Sequence, residues 1–149
     1  MAEDRGWSRT LLAVVVGWLC PGAGHAVVGR WKRGLAFGAL LWVAFFFGMA
    51  HDARVSLKDG KQPLLSGLQV VANLGMGPAD LISRYAVYGE VTYSMTGGAD
   101  PVRTVETFRA RERSAVSIYG TAYVWTAGPM NFLLLFDVWD IGRGRRQRA

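Results

Sequence analysis

Between Gly34 and Ala50 the chain reads GLAFGALLWVAFFFGMA, 17 residues without a charged side chain. A helix of that length rises about 26 Å, close to the bilayer's hydrocarbon thickness of about 30 Å. In hydrocarbon every backbone N–H and C=O must be satisfied within the protein, so a lone run of this kind folds as a helix. It opens on Gly34-x-x-x-Gly38, the small-residue spacing that lets two helix backbones approach closely. This is the clearest membrane span in the sequence, and it constrains both neighbours.

The stretch before it, Cys20 to Gly34, reads CPGAGHAVVGRWKRG and joins two apolar runs. Thr10–Cys20 alone would reach only about 16 Å as a helix, whereas residues 10–28 reach about 28 Å and could span. That longer helix must contain Pro21, Gly22 and Gly24. Proline lacks an N–H, so the Gly17 carbonyl needs another partner and its face must be buried; the first span is expected to be kinked or broken. Arginines, an apolar run and then small residues also mimic a cleavable signal peptide. Glu3, Asp4 and the second apolar segment argue against that reading. Gly29, Arg30 and the residues through Arg33 form a polar turn. It is expected to set the two spans side by side and antiparallel, with Gly34 and Gly38 against the Gly22/Gly24 region.

Residues 64–88 are apolar but weaker, carrying Ser66, Gln69 and Asn73. Gly77-Pro78-Ala79-Asp80 reads as a helix restart, so two short pieces are expected, buried, interfacial or re-entrant, with a full span as the alternative. Residues 100–113 read as a capped amphipathic helix started by Asp100-Pro101, lying along headgroups or simply solvated. Residues 115–139 form the last span. Its Gly120, Thr121, Val124, Ala127, Gly128 and Asn131 fall on one stripe, a protein-facing surface, and Pro129 interrupts it. Residues 142–149 are a basic tail.

The fold class implied is all-α, a single polytopic membrane domain. Six tryptophans and nineteen glycines suit spans and their edges. Net charge is +6, and the basic groups Arg30/Lys32/Arg33 and Arg143/Arg145/Arg146/Arg148 each adjoin the end of an apolar run. That placement favours a topology signal over nucleic-acid binding, and no nucleic acid partner is expected. Three spans would put the turn and the tail on one cytoplasmic side with Trp31 and Trp139, and Trp7 and the N-terminus outside. Asp137 and Asp140 close the last helix, where its dipole disfavours negative charge, so contacts with Arg30, Lys32 and Arg33 are expected.

The chemistry-bearing residues are few. His25 lies inside the first span, where an ionisable group marks a functional candidate, although a neutral imidazole bonded to a freed carbonyl is the simpler reading. Asn131 reads as an interhelical hydrogen-bonding residue. A single cysteine excludes an internal disulfide, and no metal-ligand spacing, nucleophile elbow or phosphate loop is present. No catalytic residue, metal or cofactor is assigned.

PGAGHAVVGRWKRG resembles the PGxGH…GR…G hairpin signature of small prokaryotic membrane proteins similar to the TM-two domain. NLGMGP at 73–78 and YGTAYVWTAGPMNFLLLFDVWDI at 119–141, in that order after the hairpin, resemble an uncharacterised bacterial family, a domain of unknown function. Pro129 stands where those relatives carry leucine. The resemblance implies the architecture and a bacterial cytoplasmic membrane, and no activity. Two functions compete on these residues. One is a non-catalytic accessory or scaffold component that packs through its small-residue stripes against partner helices or a second copy. The other is a small transporter or proton-handling component built on broken helices and His25. A membrane enzyme ranks third, for want of any catalytic constellation.

Overall fold

The computed structural model describes residues 2–144, with residues 2–5 described through their backbone alone. Seven helices follow in order: α1 Ala2–Leu19, α2 Ala23–Val27, α3 Trp31–Ala50, α4 Pro63–Leu74, α5 Pro78–Tyr88, α6 Pro101–Arg113 and α7 Ser117–Gly142. Among the described residues β pairing is confined to one bridge between Lys58 and Ser94. The fold class is all-α, as the apolar periodicity implies. Among the described residues only α3 is both long and apolar enough by composition to cross a membrane; α7, at 26 residues, has the length but is less apolar.

α7 is the axis. Its expected protein-facing stripe is buried at every position, Gly120, Thr121, Val124, Ala127, Gly128 and Asn131. Three helices pack along that axis, and the glycine contacts give their directions. α3 runs antiparallel to α7: Gly48 meets Gly120 and Val124 at one end, while Ala36 and Phe37 share a cleft with Leu133 and Leu134 towards the other. α1 covers the C-terminal half of α7, with Thr10 against Gly142 and Gly17 against Leu135. α4 covers the N-terminal half, with Ala72 and Gly75 against Gly128. The C-terminal end of α7 is termed the tail end below, and its start the loop end.

This arrangement corrects the expected path of residues 10–28. The helix breaks at Pro21 and Gly22 as expected, but α2 then turns back along α1 instead of continuing. Gly24 lies on the Ala13 carbonyl and Gly17, and the Arg9 guanidinium donates to the Val27 carbonyl at 2.8 Å. The segment therefore starts and finishes at the tail end. Trp7 packs edge-on against Trp139 at 5.2 Å, on the side where Trp31 was expected and not opposite it. Consequently α2, not α1, is the antiparallel neighbour of α3. Gly22, at φ 92, meets Gly34 and Gly38 as anticipated, whereas Gly24 faces α1. A Cβ at Gly22 would overlap the Gly34 carbonyl, so this crossing requires glycine on two counts.

Residues 64–88 form the two pieces expected. Pro63 and Pro78 each open a helix, with Asp80 in the first turn of α5. α4 enters from the loop end and α5 returns to it, so the pair is a second hairpin whose tip, Gly75–Gly77, reaches the middle of α7. The Asp100 carboxylate caps α6 by accepting from the Arg103 N–H at 3.0 Å. The core between α3, α5 and α7 holds Leu41, Phe45, Met76, Ala79, Val124 and Ala127.

Candidate functional site

A helix that stops inside a protein leaves carbonyls without intrahelical donors. Here two helices stop at the same depth, α1 at Leu19 and α4 at Leu74, facing each other across α7. Asn131, fully buried near the midpoint of α7, answers both. Its Nδ2 donates to the Gly75 carbonyl at 2.8 Å and reaches the Gly17 carbonyl at 3.4 Å. The Gly17 carbonyl is the one that Pro21 deprives of a donor. The Trp18 indole N–H donates to the Leu74 carbonyl at 3.1 Å, and Gly77, at φ 59, packs on the Trp18 carbonyl. The two tips are thus tied to one another and to α7. Asn131 Oδ1 and both amide atoms of Asn73 are buried there without a hydrogen-bond partner.

Each side of this centre carries an ionisable pair, part-buried toward the tail end and fully buried toward the loop end. Toward the tail end His25 Nε2 lies 3.0 Å from Asp137 Oδ2. A carboxylate accepts, so Nε2 carries the proton. His25 therefore bonds a carboxylate and not a freed carbonyl. One oxygen of Asp137 is engaged by that ring, where Arg30, Lys32 and Arg33 were expected. Lys32 and Arg33 do lie at the same depth, lining one cleft with Asp137. Asp140 sits at the same end, half-buried. Gly29, at φ 82, makes the exposed turn, and Arg30 precedes the first residue of α3.

Toward the loop end, Arg84 is wholly buried. Its Nε donates to Asp80 Oδ2 at 2.9 Å, and its Nη1 to the carbonyls of Ser56 and Thr92 at 2.9 and 2.8 Å. The guanidinium also lies 4.1 Å from the centre of the Tyr93 ring. Burial pushes the Tyr93 phenol above its ordinary value and Asp80 adds to this, while Arg84 opposes it. Tyr88 donates to the Val55 carbonyl. One arginine thus holds the strap 53–58 and the loop after α5 onto the second hairpin. The sequence reading missed it, because Asp80 was read as a helix start and as a candidate partner of His25, and Arg84 was not paired with it. The available signal was Asp80-x-x-x-Arg84, an opposite-charge pair at helical spacing inside an otherwise apolar stretch.

Gly120 and Gly128 are spent inside the chain. Gly120 meets the carbonyls of Gly48 and His51, and Gly128 that of Ala72. Among the described residues no group of three or more His, Cys, Asp or Glu is placed to hold a metal ion.

The model of DUF6677, a family of unknown function, matches residues 12–147. The chain belongs to that family. The matched region takes in the first hairpin from residue 12 onward, the whole of the second and all of α7. No curated protein matches the chain, and no solved structure matches it either.

Proposed function

We propose that this DUF6677 member is a small integral membrane protein that crosses the bilayer twice, through α3 and α7. In this reading the two hairpins enter from opposite faces and turn back at mid-depth. The observation that carries it is the outer surface. Leu35, Leu40, Val43 and Phe46 of α3 and Ile118, Leu133 and Phe136 of α7 are each more than half exposed, as are Leu64, Leu68 and Ile82 of the second hairpin. Apolar exposure on this scale suits lipid and is a liability in water. Charges gather at the two ends, and the ionisable groups His25, Asp80 and Arg84 buried between them each have a charged partner.

Orientation follows from the cations. At the tail end Arg9, Arg30, Lys32, Arg33 and Arg143 face Asp137 and Asp140. At the loop end Arg54 pairs with Glu112, and the other cations mix with Asp52, Asp59, Glu90, Asp100 and Glu106. The tail end is taken as cytoplasmic. The same reading takes the membrane to be a bacterial cytoplasmic one, on the resemblance of the hairpin signature. The decisive test is labelling of Gly6→Cys and Gly60→Cys in a Cys20→Ser background with an impermeant maleimide. Two crossings expose these sites on opposite faces. Three spans expose both on the same face, and that result would overturn the proposal.

The molecular role proposed is a non-catalytic accessory component. Its small residues are consumed internally, so a second copy or a partner helix must dock on large apolar side chains. The α3/α7 groove of about 380 Å³, lined by Leu40, Ala44, Ala122, Tyr123, Thr126 and Met130, suits such a helix. Photo-crosslinking from Ala122 in native membranes is expected to yield an adduct; a clean monomer would count against the role.

The part-buried His25–Asp137 pair favours a second reading, a proton-handling component, since paired ionisable groups inside a membrane mark relays. Proteoliposomes with a trapped pH dye test it. Equal proton flux with the wild type and His25→Ala would remove it.

A further inference from the structure

The basic turn was expected to neutralise Asp137 and does not. Lys32 and Arg33 are exposed, and among the described residues neither has a carboxylate partner. Their surroundings are specific. The two cations sit at the mouth of a cleft of about 630 Å³ between α3 and α7, whose walls are Ala36, Phe37, Leu133 and Leu134. Arg30 and Trp31 continue the basic surface into an adjoining groove of about 240 Å³. Asp137 is the one acidic residue lining the cleft, and the His25 ring engages one of its oxygens. The first turn of α3 contains no acidic residue.

An occupant must therefore combine an anionic head with an apolar body. The size lies within the range of small-molecule sites. Arginine and lysine at a helix–helix groove on the cytoplasmic side are the chemistry that recognises a lipid phosphate, with aliphatic and aromatic walls for the acyl chain. We propose that the α3/α7 cleft at the tail end binds one anionic phospholipid. Its phosphate lies on Lys32 and Arg33, and an acyl chain lies along Phe37 and Leu133. Net charge selects the headgroup: two cations without a carboxylate partner among the described residues, one of them over the Trp31 ring, against one engaged carboxylate leave the cleft positive. This inference rests on the membrane reading above, since the lipid comes from the surrounding leaflet.

The test is native mass spectrometry of the full chain released from vesicles of phosphatidylglycerol and phosphatidylethanolamine in equal parts. One retained phosphatidylglycerol is expected, favoured about tenfold over the zwitterionic lipid. The Lys32→Gln/Arg33→Gln variant should lose that preference. Arg109→Gln/Arg113→Gln, at the loop end, should keep it. Both pairs are exposed, and thermal unfolding in the same detergent verifies that the variants fold. Ala36→Trp, which fills the cleft without changing charge, should reduce retention of either lipid. Equal retention of both lipids by the wild type, or an equal loss in the two arginine-bearing variants, would overturn the site while leaving the membrane reading standing. A chain that fails to enter vesicles at all would overturn that reading instead.

Discussion

The two hairpins solve one problem in different ways. Each reaches the middle of α7 and turns back at a Pro/Gly break, and each leaves helix-end carbonyls in an apolar interior. The tail-end hairpin, α1–α2, closes by backbone contact: Gly17 against Gly24 within it, and Gly22 against Gly34 and Gly38 of α3. It has little room for side chains, and His25, buried within it, is answered from α7. The loop-end hairpin, α4–α5, is held open by polar side chains. Arg84 fills the space that glycine removes in the other, and it ties the hairpin to the strap 53–58. Close packing makes one hairpin rigid through shape, whereas the other depends on a single charged network.

That contrast can be broken at points of decreasing effect. Arg84→Met should be the most damaging substitution, because it leaves the Asp80 carboxylate buried and unpaired, a loss of about 3–5 kcal/mol. Denaturant unfolding in detergent measures it, and Asp80→Leu/Arg84→Met should recover most of the loss. Recovery would show that the network specifies the second hairpin more than it stabilises it. Gly22→Ala comes next, at about 2–3 kcal/mol, from backbone overlap and an unfavourable positive φ. No second-site polar substitution should rescue it.

His25→Ala should lose about 1–3 kcal/mol, as expected when a buried hydrogen-bonding group is stranded opposite its former partner. Asp137→Asn should lose less, since the amide oxygen still accepts from Nε2. Equal losses from the two would mean that the pair acts through charge and not through the hydrogen bond. Asn131→Leu is the mildest, about 1 kcal/mol at roughly 0.6 for each interhelical bond. It bears on both hairpins at once, so hydrogen exchange should rise at Gly77 and at Gly22 together.

Much of this was legible in the residues. Hydropathy located α3, the small and polar residues at helical spacing located the buried stripe of α7, and proline marked the starts of α5 and α6. The break at Pro21 and the need for a donor to the Gly17 carbonyl were also readable. The donor itself, Asn131, was visible only as a polar residue on the right stripe. What composition lacks is direction. An apolar run of 19 residues with a proline inside reads alike whether it continues or returns, because hydropathy is blind to the path after the break. That one ambiguity misplaced Trp7 and the N-terminal side, and assigned Asp137 to the basic turn. His25 and Asp137 are 112 residues apart, a separation at which no local pattern links them. Arg84 was hidden differently: a lone arginine in a weak apolar run reads as a loop-side charge until the strap it binds is in place.

Asn131 is also a mechanical joint. One amide clamps the ends of two levers that are anchored at opposite extremities of the molecule. If either lever withdraws, a carbonyl loses its donor in a dry interior. The Trp18–Leu74 clasp then drags the other lever with it. The two hairpin tips therefore share one set of contacts on α7, and neither can be rebuilt without regard to the other.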